Sequence, residues 1–157
     1  MLKEGDAAPN FRLHGSDKKE HSLSEFGGRY LILYFYPRDN TVGCNIEARG
    51  FNESLTEIRK LGAEVVGISD DSLEAHDKFR DMFSLKFLLL SDVKRDVIKL
   101  YDAYGNKGVF GMGTVRKTYM IDKNGRIVKI FQRVKPIGHA KEVIGLLKDA
   151  SNLLKIT

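Results

Sequence analysis

Cysteine is nearly absent from the sequence: of 157 residues, only Cys44 carries a thiol. A single cysteine cannot form an internal disulfide, so the composition gives no sign of an oxidising compartment. The longest apolar runs also fall far short of the ~20 residues that a membrane helix requires. The opening segment, MLKEGDAAPNF, has no apolar stretch of the kind that a signal peptide contains. We therefore predict a cytoplasmic protein that does not associate with a membrane.

Patterns that bind metals or nucleotides are missing as well. The four histidines show no paired ligand spacing, and with one cysteine a zinc site is not expected. The glycines between residues 105 and 113 do not form GxGxxG between a strand and a helix, so they predict a flexible loop rather than a phosphate-binding turn. Asp70 and Asp71 lie where a strand should end and a helix begin, which is a structural position for acids. We predict no metal and no cofactor.

The net charge of +5 is unevenly distributed along the chain. Residues 1–93 carry 12 Lys and Arg against 16 Asp and Glu, and residues 94–157 carry 14 against 5, which gives −4 and +9. No basic run is interleaved with aromatic residues, as the stacking surface of a nucleic-acid-binding protein would be. The basic half therefore predicts a solvated positive face and no nucleic-acid partner.

The order of the apolar segments predicts a single α/β domain over residues 1–157. Strands alternate with helices through the first two-thirds, which predicts parallel strands, and a final hairpin adds antiparallel edge strands. The expected fold is a mixed central β-sheet flanked by helices on both faces. The predicted strands are 30–36, 63–70, 87–92, 115–122 and 125–131. The predicted helices are 43–61 (apolar face Ala48, Phe51, Leu55 and Ile58), 72–84 (apolar face Ala75, Phe79, Met82 and Phe83), 96–104 and 139–154.

Cys44 lies where the predicted strand 30–36 gives way to the predicted helix 43–61. The unpaired N–H groups and the positive dipole end of a helix start favour a thiolate, which is the nucleophilic form of cysteine. The carboxyl end of a strand is also where chemistry is expected in such sheets. The alternative is that Cys44 is a small buried hydrophobic residue. Arg116, which opens a later strand, is either a surface arginine or a cation fixed near the thiolate.

These residues resemble those of a known family. Pro37, Thr41 and Cys44 form the pattern PxxxTxxC within PRDNTVGC. The ordered segments GDAAPNF, FYPRDNTVGCNIEARGF, VVGISDDS, LLSD and VRKTYMIDKNGRIV, spread over about 130 residues, resemble the peroxiredoxins and, within them, the bacterioferritin-comigratory-protein or peroxiredoxin Q group. The resemblance implies a thioredoxin-like fold. It also implies a thiol peroxidase that reduces hydrogen peroxide and small organic hydroperoxides.

The resemblance also implies a role for each residue of the site. Cys44 would be the peroxidatic nucleophile, and Thr41 would hydrogen-bond the peroxide and the thiolate. Arg116 would supply the cation and Glu47 would orient that arginine. Pro37 would shape and shield the loop.

Two positions depart from the family's pattern. Val42 stands where the family often has proline, which predicts a less rigid loop. Arg49 stands where many members of the group carry a resolving cysteine, five residues after the first. The sulfenic acid would then be reduced by an external thiol, either a thioredoxin-like protein or a small thiol, in a one-cysteine cycle. The chain would act as a monomer or a homodimer.

Two other functions remain open at this point. In the first, Cys44 belongs to a redox-sensing interaction protein, and a mixed disulfide with a partner is the output. The second, a general thiol–disulfide oxidoreductase, is disfavoured because the sequence contains no CxxC.

Overall fold

The structure, a computed structural model, describes residues 1–156 and the side chains of residues 1–150, so the last residue of the predicted domain lies outside it. Within the described residues, nine strands, four α-helices and two short 3₁₀ helices follow one another with short connections. The strands are β1 Arg12–Gly15, β2 Glu20–Ser22, β3 Tyr30–Phe35, β4 Ala63–Ser69, β5 Leu88–Ser91, β6 Tyr104–Asn106, β7 Met112–Thr114, β8 Lys117–Ile121 and β9 Ile127–Gln132. The helices are α1 Val42–Lys60, α2 Leu73–Phe83, α3 Asp96–Leu100 and α4 His139–Ile156.

Seven strands form one mixed sheet in the order β2-β1-β5-β4-β3-β8-β9. The three strands that alternate with helices, β3, β4 and β5, are parallel, and β8 pairs antiparallel with β3. The predicted mixed central sheet is therefore confirmed. β8 lies inside the sheet between β3 and β9, so only β9 of the predicted edge hairpin is an edge strand.

β3 is buried on both faces, as its unbroken apolar sequence predicts. Ile32 and Tyr34 pack in the hydrophobic core that also contains the apolar face of α1. Leu31, Leu33 and Phe35 pack in a second core on the opposite face. The predicted inner face of α1 is confirmed, because its four apolar residues are buried: Ala48, Phe51, Leu55 and Ile58.

The buried face of α2 differs from the predicted one. Met82 was expected in the core but is 57% exposed, whereas His76 is fully buried beside Phe79. The sequence pattern placed the apolar side chains on one face and did not anticipate a buried histidine. His76 is accommodated because both of its ring nitrogens have hydrogen-bond partners.

Two predictions fail between residues 100 and 114. The third helix ends at Leu100 rather than Tyr104, because Asp102 adopts a left-handed conformation with φ of 56°. The segment expected to be a flexible glycine loop is a small antiparallel hairpin, in which β6 pairs with β7 through Tyr104 and Thr114. Short strands rich in glycine lack the apolar alternation that would identify them in a sequence.

None of the helices within residues 1–156 contains a stretch that is both long enough and apolar enough to span a bilayer.

Candidate active site

Cys44 lies in the first turn of α1, immediately beyond the carboxyl end of β3. Thr41 is the N-cap residue, and the first intrahelical bond of this helix runs from the N–H of Asn45 to the carbonyl of Thr41. The N–H groups of the three residues between them, including that of Cys44, have no partner within the helix. The first turn contains no acidic residue. Negative charge on the Cys44 sulfur is therefore stabilised by the helix start.

Arg116, the residue before β8, brings a positive charge to this sulfur. Its Nη2 lies 3.2 Å from Cys44 Sγ, although 72 residues separate the two positions. The pairing of β8 with β3 explains this approach: Lys117 stands opposite Phe35, so the residue before β8 lies beside the end of β3. Of the two positions considered for Arg116, the structure has the one beside the thiol of Cys44.

Glu47 holds the same guanidinium from behind. Its Oε1 accepts a hydrogen bond of 3.0 Å from Arg116 Nη1, so one guanidinium bridges the carboxyl group and the sulfur. The other oxygen, Oε2, has no hydrogen-bond partner among the described residues. Burial raises the pKa of Glu47 to about 7, and the attraction of Arg116 only partly opposes this rise. At neutral pH, protonated and ionised forms of this carboxyl are both populated.

The hydroxyl of Tyr34 also belongs to this buried cluster. It lacks a hydrogen-bond partner among the described residues. Burial raises the pKa of Tyr34 well above its ordinary value, and the nearby Glu47 and Cys44 raise it further. Tyr34 therefore stays protonated and offers an unused donor close to the carboxyl and the thiol.

Gly43 permits the close approach of Arg116. A Cβ atom at this position would lie 2.5 Å from Arg116 Nη2, which is closer than real Cβ contacts allow. Any other residue would push the guanidinium away from the sulfur. The sequence alone assigned no function to Gly43 beyond the start of the predicted helix. The signal was the glycine directly before the cysteine, but its meaning depends on the distant arginine.

Thr41 and Pro37 are close to Cys44 in the chain but do not bond to its sulfur in this conformation. The hydroxyl of Thr41 donates to the carbonyl of Arg38 at 3.1 Å. Pro37 lies two residues beyond the end of β3 and is half-buried. The roles of both residues in binding peroxide remain predictions.

Asp39, which the sequence analysis did not consider, ties the loop between β3 and α1 to the rest of the protein. Its Oδ1 accepts a hydrogen bond of 2.6 Å from the hydroxyl of Tyr36, and its Oδ2 lies 2.6 Å from His76 Nδ1. The N–H of Asp39 donates to Asp71 Oδ2 at 2.8 Å. His76 Nε2 donates to the carbonyl of Leu90 at 3.0 Å.

Donor atoms of Asp39, Asp71 and His76 lie within 4.8 Å of one another, a spacing that could hold a metal ion. However, both nitrogens of His76 and both carboxyl oxygens of Asp39 already have protein partners. The cluster is therefore a hydrogen-bond network and not a metal site.

Arg49 occupies the outer face of α1, more than one turn beyond Cys44. Its side chain is exposed, and its guanidinium lies 5.8 Å from the centre of the Phe83 ring. This contact joins α1 to α2 through a cation–π interaction. The position at which the family resemblance implies a resolving cysteine thus has a packing role in this chain.

Comparisons with known proteins agree with this geometry. The AhpC/TSA family matches residues 4–130. A putative peroxiredoxin bcp from Helicobacter pylori is 42% identical over 146 residues, which cover 91% of this chain and 96% of the relative. Peroxiredoxin Bcp from Bacillus subtilis is 40% identical over 153 residues, which cover 96% of this chain and 98% of the relative.

A solved structure has the same fold as this chain. The crystal structure of a cysteine-to-serine mutant of Xylella fastidiosa PrxQ superposes with a TM-score of 0.93 and 34% identity, covering 96% of this chain and 98% of that one. The predicted thioredoxin-like fold is confirmed, as is the resemblance to the peroxiredoxin Q group. We conclude that the chain belongs to the AhpC/TSA family, and within it to the peroxiredoxins of the Bcp/PrxQ group, which are thiol peroxidases.

Proposed function

We propose that this peroxiredoxin reduces hydrogen peroxide and small organic hydroperoxides with Cys44 and returns to its thiol form by reaction with an external thiol. The observation that carries the proposal is the distance of 3.2 Å between Arg116 Nη2 and Cys44 Sγ at the start of α1. A guanidinium and unpaired helix N–H groups around one sulfur stabilise the thiolate, which is the form of cysteine that attacks peroxides.

In the first step the thiolate of Cys44 attacks the nearer oxygen of the peroxide. The S–O bond forms as the O–O bond breaks, which gives a sulfenic acid and releases hydroxide or an alkoxide that takes up a proton. Negative charge moves from sulfur to the departing oxygen during this step. The donors that surround the sulfur before the reaction therefore stabilise the transition state more than the ground state.

Arg116 and Thr41 are the side chains that we expect to follow this charge. Arg116 Nη2 already faces the sulfur. The hydroxyl of Thr41 would exchange its bond to the Arg38 carbonyl for one to the bound peroxide. Losing one fixed donor of this kind typically costs ~3 kcal/mol of transition-state stabilisation, about a hundredfold in rate.

Reduction of the sulfenic acid requires a second molecule, because Cys44 is the only cysteine of the chain. A thiolate attacks the sulfenic sulfur, a mixed disulfide forms and water leaves, and a second thiol then releases the Cys44 thiol. Cys44 is only 1% exposed in this conformation. A protein reductant would therefore reach it only after the start of α1 moves, whereas a small thiol would need a smaller opening.

The experiment that tests the proposal counts thiols after peroxide is added to the reduced protein. We expect stoichiometric loss of the free thiol, at a rate far above that of free cysteine, and no reaction in Cys44→Ser. Steady-state assays with a thioredoxin-like protein and with a small thiol then identify the class of reductant. A Cys44 that reacts no faster than free cysteine would contradict the proposal, and a single turnover with every reductant would favour the redox-sensing function.

The cytoplasmic location, the single domain over residues 1–157 and the monomeric or homodimeric state remain predictions from the sequence.

A further inference from the structure

The loop that carries the start of the active site depends on one buried carboxyl group. Asp39 lies between the end of β3 and the N-cap Thr41, and its side chain is 5% exposed. Both of its carboxyl oxygens are engaged, one by Tyr36 and the other by His76. Burial and the nearby Asp39 raise the pKa of Tyr36 well above its ordinary value, so its hydroxyl remains a donor.

His76 reaches this carboxyl group from α2, an element that contributes nothing else to the site. The carbonyl of Leu90 can only accept a hydrogen bond, so His76 Nε2 carries a proton. The other nitrogen, Nδ1, lies 2.6 Å from Asp39 Oδ2, and one proton lies between these two atoms. The imidazole is fully buried and fixed at both ends. It therefore fixes the position of Asp39 relative to β5 and α2.

The position of Asp39 in turn determines where α1 begins. The segment from Asp39 to Cys44 is short. Apart from the bond that the N–H of Asp39 donates to Asp71, its hydroxyl and backbone bonds are local. A shift of Asp39 therefore moves the first turn of α1 and the sulfur with it. Arg116 does not follow such a shift, because it directly precedes β8, which is paired with β3, and because its partner Glu47 lies beyond the first turn of α1. The distance between the guanidinium and the sulfur thus depends on the pair formed by Asp39 and His76.

We propose that His76 is a positioning residue of the peroxidase: through its bond to Asp39 it holds the loop before α1 in the conformation in which Cys44 faces Arg116. This inference rests on the proposed function for its kinetic consequence. Its structural consequence, the order of the loop, does not depend on the proposed function. Since a displacement of about 1 Å between reacting groups can cost a hundredfold in rate, we expect His76→Leu to slow the reaction with peroxide by about 10-fold to 100-fold.

The test compares three substitutions at buried histidines. His76→Leu removes both bonds, whereas His76→Asn keeps an N–H close to the position of Nδ1 and should recover most of the rate. His139→Leu is the matched control, because His139 is also buried and also has a partner at each ring nitrogen, Glu142 and Thr118, but does not bond to the loop. The urea midpoint of each variant measures the general loss of stability that all three substitutions share.

Hydrogen exchange of the backbone amides from Arg38 to Cys44 provides a readout that does not depend on peroxide. We expect faster exchange there in His76→Leu, with near-normal exchange in His76→Asn and His139→Leu. The proposal is wrong if His76→Leu leaves both rate and exchange unchanged, if His139→Leu slows the reaction equally, or if His76→Asn is no better than His76→Leu.

Failure of the proposed function would look different from failure of this inference. If the unsubstituted protein does not react rapidly with peroxide, the proposed function fails. The hydrogen-exchange comparison then still decides whether His76 orders the loop.

Discussion

Glu47→Gln should make the protein more stable at alkaline pH, although the substitution falls inside the active site. The amide has nearly the shape of the carboxyl group, and its oxygen can still accept the hydrogen bond from Arg116 Nη1. It cannot ionise, however. The variant therefore separates the cost of a buried negative charge from the packing of the side chain.

The pKa of Glu47 gives the size of the effect. Burial raises this pKa from 4.5 to about 7, so the folded protein holds the proton of Glu47 more tightly than the unfolded chain does. Between these two pH values the unfolded chain releases the proton first, and the free energy of unfolding falls as the pH rises. At 1.36 kcal/mol for each pH unit, the loss reaches about 3 kcal/mol near pH 7 and stays constant above it. Below pH 4.5 both states are protonated and the loss disappears.

Urea unfolding at pH 4 and at pH 8.5, followed by circular dichroism, measures this difference. We expect the variant to gain about 3 kcal/mol over the unsubstituted protein at pH 8.5 relative to their difference at pH 4. Glu53→Gln is the control, because this carboxyl lies on the same helix and is exposed. If Glu47→Gln and the unsubstituted protein change stability in parallel between the two pH values, Glu47 does not carry a raised pKa in the folded protein.

Three further substitutions test other parts of the site. Gly43→Ala should push Arg116 away from the sulfur and slow the peroxide reaction about 100-fold. Gly50→Ala is the control and should keep the rate, because its new Cβ would have its nearest neighbour at 3.7 Å. Equal rates in the two variants would mean that the close approach of Arg116 to Gly43 does not matter for the reaction. Tyr34→Phe removes a buried hydroxyl that has no hydrogen-bond partner among the described residues, so urea unfolding should give an unchanged or higher free energy of unfolding. A loss above about 1 kcal/mol would reveal a hydrogen bond of this hydroxyl. Arg49→Cys should form an intramolecular disulfide on oxidation only if the first turns of the helix unwind, because residues five apart in a helix are too distant to be bridged. Mass spectrometry distinguishes this disulfide from a persistent sulfenic acid.

Local patterns in the sequence predicted much of the fold correctly. β3 is apolar on both faces and bounded by glycine and proline, and it lies inside the sheet between β4 and β8. The predicted inner face of α1 is buried because its residues recur at helical spacing. The hairpin of β6 and β7 was missed because three-residue strands with glycine have no such period. The buried face of α2 was assigned wrongly because a histidine looks polar until its partners are known.

The sequence by itself determined that one thiol lies at the start of a helix, three residues after a threonine, and that no disulfide can form within the chain. These facts depend on neighbours along the chain, so composition and spacing contain them. Only the tertiary structure decided that Arg116 meets this thiol, that burial raises the pKa of Glu47, and that His76 bonds to Asp39 in the loop before α1. Each of these facts depends on distant segments that strand pairing and burial bring together, and no local pattern records which distant side chain will face which.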